Sequence, residues 1–73
     1  MKEISIKIKT EFIKLDSLLK FAGLVETGAD GKLIILEGRI KVNGEIFTMR
    51  GKKIYPGMKV QIPEIDSEIS VTK

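Results

Sequence analysis

The 73-residue chain contains no cysteine and no histidine. Without thiols it can form neither a disulfide nor a thiolate metal site, which fits a reducing compartment. With both residue types missing, so are the commonest general base and the best nucleophile. The remaining candidates do not fill the gap. Asp16, Asp30 and Asp66 lack metal-loop spacing, Gly28, Gly31 and Gly38 form neither a dinucleotide nor a P-loop fingerprint, and Ser17 and Ser67 have no visible base. Rings are scarce: Phe12, Phe21, Phe47 and Tyr55 are the whole aromatic set. Apolar runs extend over only a few residues, too short for a membrane span or a signal-peptide core. These absences lead us to expect a soluble, cytoplasmic chain that is not an enzyme, holds no cofactor or metal, and acts on no small-molecule substrate.

What is present suits one domain over residues 1–73, near the lower limit for an unaided core. A hydrophobic content of 42% argues against disorder. The net charge of +3 is unevenly spread. Between Arg39 and Lys59 six cations (Arg39, Lys41, Arg50, Lys52, Lys53 and Lys59) stand against Glu45, a local balance of +5. From Pro63 onward Glu64, Asp66 and Glu68 outweigh Lys73, a balance of −2. Focused positive charge attracts polyanions. The plainer reading of any basic run is a solvated face, so its context has to decide.

Local patterns supply that context. Ile4, Ile6 and Ile8 alternate with Ser5, Lys7 and Lys9, the period of a half-buried strand. Leu15, Leu18, Leu19 and Ala22 recur at helical spacing, with Asp16 in the first turn and Gly23 as a stop. Thr27 followed by Asp30 matches a capping box for a second helix through the Leu33–Leu36 run, ended by Gly38. That run is rich in β-branched residues, and a strand is the competing reading, but cap and stop together favour the helix. Gly31 inside it lowers helix propensity by about 1 kcal/mol relative to alanine and marks close approach of another element, here the first helix. Ile40 and Val42 run into Asn43-Gly44, the strongest short hairpin signal, with Ile46 on the return side. A loop carrying the cations, a Pro56-Gly57 turn and strands around Val60–Ile62 and Ile69–Val71 complete the order. The expected fold is α+β: two short packed helices against a small, mostly antiparallel sheet.

The residues from about 12 to 62 resemble the RNA-binding module of ribosomal protein S four, the S-four or alpha-L domain. The resemblance rests on Lys14-Leu15-Asp16, on Gly38-Arg39-Ile40-Lys41-Val42-Asn43-Gly44 and on Arg50-Gly51-Lys52-Lys53 in that order. The short N-terminal strand and Arg50-Gly51-Lys52-Lys53 are similar to the stand-alone YaaA-like branch in particular. Two positions depart from the pattern: Gly57-Met58 replaces the usual Gly-Asp after the loop, and Gly31 stands where that branch commonly has alanine before Lys32. The resemblance implies non-catalytic binding of structured RNA, ribosomal or transfer RNA-like, in ribosome assembly or translation, with the ribosome as a partner.

The chemistry of the residues points the same way. Lys and Arg displace counterions from RNA phosphates. Arg50 offers a forked contact while Lys52 and Lys53 act as point charges, and Gly51 and Gly57 permit close approach to a backbone. Lys14 at the start of the first helix stands beside backbone N–H groups that suit an anion, and Lys32 lies early in the second. Lys14, Lys32, Arg50, Lys52 and Lys53 are therefore the expected RNA-binding set, sharing one face. Lys20 and Lys41 are secondary candidates whose plainer role is solubility. Tyr55 either stacks on a base or packs the loop onto the core, the second being favoured. Phe12, Phe21 and Phe47 are expected in the core rather than as stacking platforms, which leaves few rings for splayed bases. A rival reading makes the chain a protein-interaction module whose basic loop meets an acidic protein surface, and the acidic C-terminal segment could fold back onto the basic face.

Overall fold

The computed structural model describes residues 2–73. Strand β1 (Lys2–Lys7) is followed by the very short β2 (Ile13–Lys14), which runs without a break into helix α1 (Leu15–Phe21). Helix α2 (Gly28–Leu36) follows, then the hairpin strands β3 (Lys41–Val42) and β4 (Glu45–Ile46). Strands β5 (Lys53–Ile54), β6 (Lys59–Ile62) and β7 (Ser67–Thr72) complete the chain, a 3-10 turn at Pro63–Ile65 joining the last two.

Five strands form one sheet in the order β1-β7-β6-β3-β4. Only β1 and β7 run parallel, with Ile4 opposite Ile69 and Ile6 opposite Val71. The other pairs are antiparallel. The alternation read from the sequence sets the faces: Ile6, Val42, Val60, Ile62, Ile69 and Val71 are buried in one cluster with Leu15, Leu18, Leu19 and Ile35 of the helices. Lys41, Gln61 and Glu68 lie in one row on the opposite side of the sheet, and Gln61 Nε2 donates to Glu68 at 3.0 Å.

Both helices end as their glycines require. Gly23 (φ +76°) and Gly38 (φ +73°) occupy the left-handed region, and each helix closes with paired reverse bonds, Gly23 N–H to Lys20 and Leu24 N–H to Leu19, then Gly38 N–H to Ile35 and Arg39 N–H to Ile34. The Thr27 hydroxyl accepts the Asp30 N–H at 3.2 Å, the cap that the sequence suggests. Gly31 is buried, and a Cβ there would lie 3.4 Å from the Asp16 carbonyl oxygen, so α2 does cross close to the start of α1. In the hairpin Asn43 (φ 50°) and Gly44 (φ 86°) are both left-handed, the conformation that matches strand twist. Asn43 also ties the turn to the sheet, its Oδ1 accepting the Lys59 N–H at 3.0 Å.

Three expectations change. The cation-bearing segment is not all loop, because Lys53–Ile54 pairs with Ile13–Lys14 as a second, two-stranded sheet. Glu64 and Glu68 of the acidic segment meet the ends of the basic one, at Arg39 and Lys59, and among the described residues neither pairs with Arg50, Lys52 or Lys53. Glu68 sits within β7, hydrogen-bonded across the sheet, and Glu64 is held by Arg39. Finally, Phe21 is not core. It flanks the Leu15, Leu18, Leu19 stripe at the very end of α1 and is 66% exposed.

Candidate nucleic-acid interface

The site is built on the junction of β2 and α1. In the two-residue ladder Lys14 faces Lys53 and Ile13 faces Ile54, whose side chain is fully buried. The strand then turns into the helix, and the first amides of any helix lack an intrahelical acceptor. Here the basic segment supplies acceptors. The Leu15 N–H donates to the Lys52 carbonyl at 2.9 Å and the Asp16 N–H to the Arg50 carbonyl at 3.2 Å. The next amide, Ser17 N–H, is taken by the Asp16 carboxylate at 2.7 Å. The backbone of residues 50–54 is thereby strapped across the start of α1, and Lys14, Arg50, Lys52 and Lys53 are brought together.

This corrects one detail read from the sequence. The amides beside Lys14 are not open to an anion, because the carbonyls of Arg50 and Lys52 already occupy them. What the helix start offers an anion is indirect: it fixes the backbone from which the cations project.

Two of these cations lie over aromatic rings. Lys52 Nζ lies 4.8 Å from the centroid of the Phe47 ring and Lys53 Nζ 4.9 Å from that of Phe12. Each such contact is worth about 0.5–1 kcal/mol at an exposed site. Phe12 in turn leans on Tyr55, ring centroids 5.7 Å apart and 47° between planes. Tyr55 thus packs against the ring beneath Lys53 while staying 43% exposed. Phe12 and Phe47 are half-buried supports of these lysines, a role the sequence does not show, and Phe12 is not in the core cluster expected to hold it.

Three acids are engaged with cations away from the strap. Arg39 bonds Glu64 and, at 3.3 Å, Glu37. Its guanidinium pKa is raised, chiefly by the Glu64 hydrogen bond; desolvation, the next largest effect, opposes this, and Glu37 adds a lesser rise. Lys59 Nζ approaches Glu68 at 3.9 Å. Among the described residues no ion pair involves Lys14, Arg50, Lys52 or Lys53. Two of the six cations that make the segment basic are therefore matched by acids, and the unmatched ones concentrate on the strap.

The other candidates stand further from this centre. Lys32 is exposed on α2, next to Gly31, which approaches the backbone of Asp16. Lys20 is exposed in the last turn of α1, away from the strap at its start. Lys41 lies in β3 opposite Gln61, on the outer face of the sheet. The turn after the strap lacks the usual acid, and Met58 takes over: its Sδ accepts the Tyr55 N–H at 3.2 Å, while Gly57 (φ 95°) anchors to Val71 through its N–H at 2.8 Å.

Comparison with known proteins adds independent findings. A family model described as the S4 domain matches residues 6–71. The chain is 39% identical over 57 residues to a protein of Bacillus subtilis (strain 168) named "Probable ribosome maturation protein RlbA", an alignment covering 78% of this chain and 80% of that one. It is 40% identical over 52 residues to the "Putative RNA-binding protein YbcJ" of Escherichia coli (strain K12), covering 71% and 74% respectively.

Proposed function

The chain belongs to the S4 domain family, and from that premise we propose that it binds structured RNA, ribosomal RNA foremost, without catalysing a reaction on it, in the course of ribosome maturation. The observation that carries this reading is the strap. Arg50, Lys52 and Lys53 project from a backbone pinned by two helix amides and a strand pair, beside Lys14. A pinned set of cations fits phosphates held at fixed spacing, as in an RNA helix or junction, better than a floppy strand. Arg50 would take a phosphate through two N–H groups, and Lys14, Lys52 and Lys53 would each neutralise a neighbour. Lys32 extends the patch on the α2 side. The names of the two relatives, one a ribosome maturation protein and one an RNA-binding protein, support the same assignment. The absence of histidine and cysteine supports a binding role over a catalytic one.

The test is a competition titration at physiological salt. A ribosomal RNA hairpin, a single strand of equal length and a DNA duplex of equal length each compete for the protein. The hairpin should compete best and the DNA duplex less well, since its groove shape differs and it lacks the 2′-hydroxyl. Equal competition by all three would reduce the binding to unspecific charge, and preference for the single strand would reverse the reading.

A further inference from the structure

Phe21 closes α1 with 66% of its surface exposed. A 73-residue domain has little apolar surface to spare, yet this ring is left in solvent. It lines a surface pocket of about 360 Å³ whose other walls are Lys7, Ile8, Lys9, Thr10 and Ile13. Ile8 is buried and Ile13 half-buried, so the floor is apolar. Lys7 and Lys9 stand exposed on the rim, and among the described residues neither forms an ion pair. The pocket also adjoins the basic strap, because Ile13 precedes Lys14 and pairs with Ile54 in the same ladder.

An apolar socket with an exposed ring, rimmed by unmatched ammonium groups, is complementary to a flat ring flanked by phosphates. We infer that this pocket takes one unpaired nucleobase of the bound RNA, stacked on Phe21, with the adjoining phosphates on Lys7 and Lys9. The inference rests on the RNA-binding reading and adds what the strap alone does not supply, a reason to prefer RNA with an unstacked base beside a helix. Extruding a base is least costly where it is already unpaired, so a bulge is the expected target. The Thr10 hydroxyl already donates to the Phe12 carbonyl at 2.8 Å. That proton is therefore not available to a base, and the ring face of Phe21 is the main contact the pocket offers.

The experiment uses three fluorescently labelled RNA hairpins of one sequence: fully paired, carrying a single bulged adenosine, and carrying an abasic residue at the bulge. Dissociation constants are measured for the wild-type chain and for Phe21→Leu, which keeps apolar bulk and loses the ring, with melting curves to establish that both are folded. Wild type should bind the adenosine bulge on the order of tenfold more tightly than the other two, the typical scale of one base on an aromatic ring. Phe21→Leu should erase that preference and leave the fully paired hairpin unaffected. Equal binding of the abasic and adenosine bulges by wild type would overturn the pocket, and so would a Phe21→Leu loss spread evenly over all three RNAs. Tight wild-type binding without bulge preference fails the pocket alone, whereas no binding to any hairpin fails the RNA reading and the pocket with it.

Discussion

The Leu15 N–H donates to the Lys52 carbonyl at 2.9 Å, and through this bond the first turn of α1 holds the middle of the basic segment. The Asp16 N–H repeats the arrangement with Arg50 at 3.2 Å. Both contacts use backbone atoms at each end, so holding the strap consumes neither the Arg50 nor the Lys52 side chain. A helix start that would otherwise leave its amides to water becomes the dock for a cationic strap.

Hydrogen exchange reports on this directly. The amides of Leu15 and Asp16 should exchange slowly although they open a helix, because each has a backbone acceptor. Within α2 the Gly31 amide, bonded to the Thr27 carbonyl at 3.2 Å, gives a comparison in an ordinary helical turn. Protection of Leu15 equal to or greater than that of Gly31 is expected in amide exchange followed by NMR. Exchange of Leu15 at the rate of an open chain would mean that the strap is not docked.

Gly31 tests the helix crossing. A Cβ at this position would meet Asp16 O at 3.4 Å and Val25 Cγ2 at 3.5 Å, ordinary contact distances. Gly31→Ala should therefore raise stability by about 0.5–1 kcal/mol through helix propensity. Gly31→Val has further carbons to place against the Asp16 backbone and should lower it. Denaturant midpoints of both variants check the pair, and a gain for valine would mean that α1 and α2 are further apart.

Gly44 tests the hairpin. It sits at φ 86°, where a β-branched residue is a steric outlier. Gly44→Val should cost about 1–3 kcal/mol, which in a domain of this size lowers the melting temperature by at least about 5 °C. An unchanged melting temperature would place the turn elsewhere. RNA affinity should follow stability and show no separate defect.

Much of the architecture was legible because its signals are local. The Ile4–Ile6–Ile8 alternation, the Thr27 cap, the stops at Gly23 and Gly38 and the Asn43-Gly44 turn each act within a few residues, and each holds. The β2–β5 ladder was not legible, since two residues per strand carry no period to detect. Its existence depends on Ile54 reaching the core and on the amides of α1 needing partners, both products of the tertiary fold. The same holds for the site. Arg50, Lys52 and Lys53 stand together in the sequence, and Lys14 joins them through the ladder. Lys59 meets Glu68 diagonally across the β6–β7 pair, and Arg39, just before β3, meets Glu64 in the turn after β6, so both matches depend on the assembled fold. The lysine-to-ring contacts at Phe47 and Phe12 follow from the strap's path. Phe21 was misread because scarcity of rings argues for burying each one. The α1 stripe fills its buried positions with leucines and leaves the phenylalanine on the flank.

The salt dependence of RNA binding by an Arg50→Ala, Lys52→Ala, Lys53→Ala variant bears most directly on the basic strap as a phosphate-binding surface. Alanine keeps the carbonyls that accept from Leu15 and Asp16, so the variant should fold, as a melting curve would establish. Affinity for a ribosomal RNA hairpin is then titrated across a range of salt concentrations for variant and wild type. The slope of log affinity against log salt should be shallower by roughly 0.7–0.9 for each phosphate the variant no longer neutralises, about two to three in total for three phosphates, with weaker binding at physiological salt. A folded variant with the wild-type slope and the wild-type affinity would contradict the assignment of this strap as the RNA-binding surface.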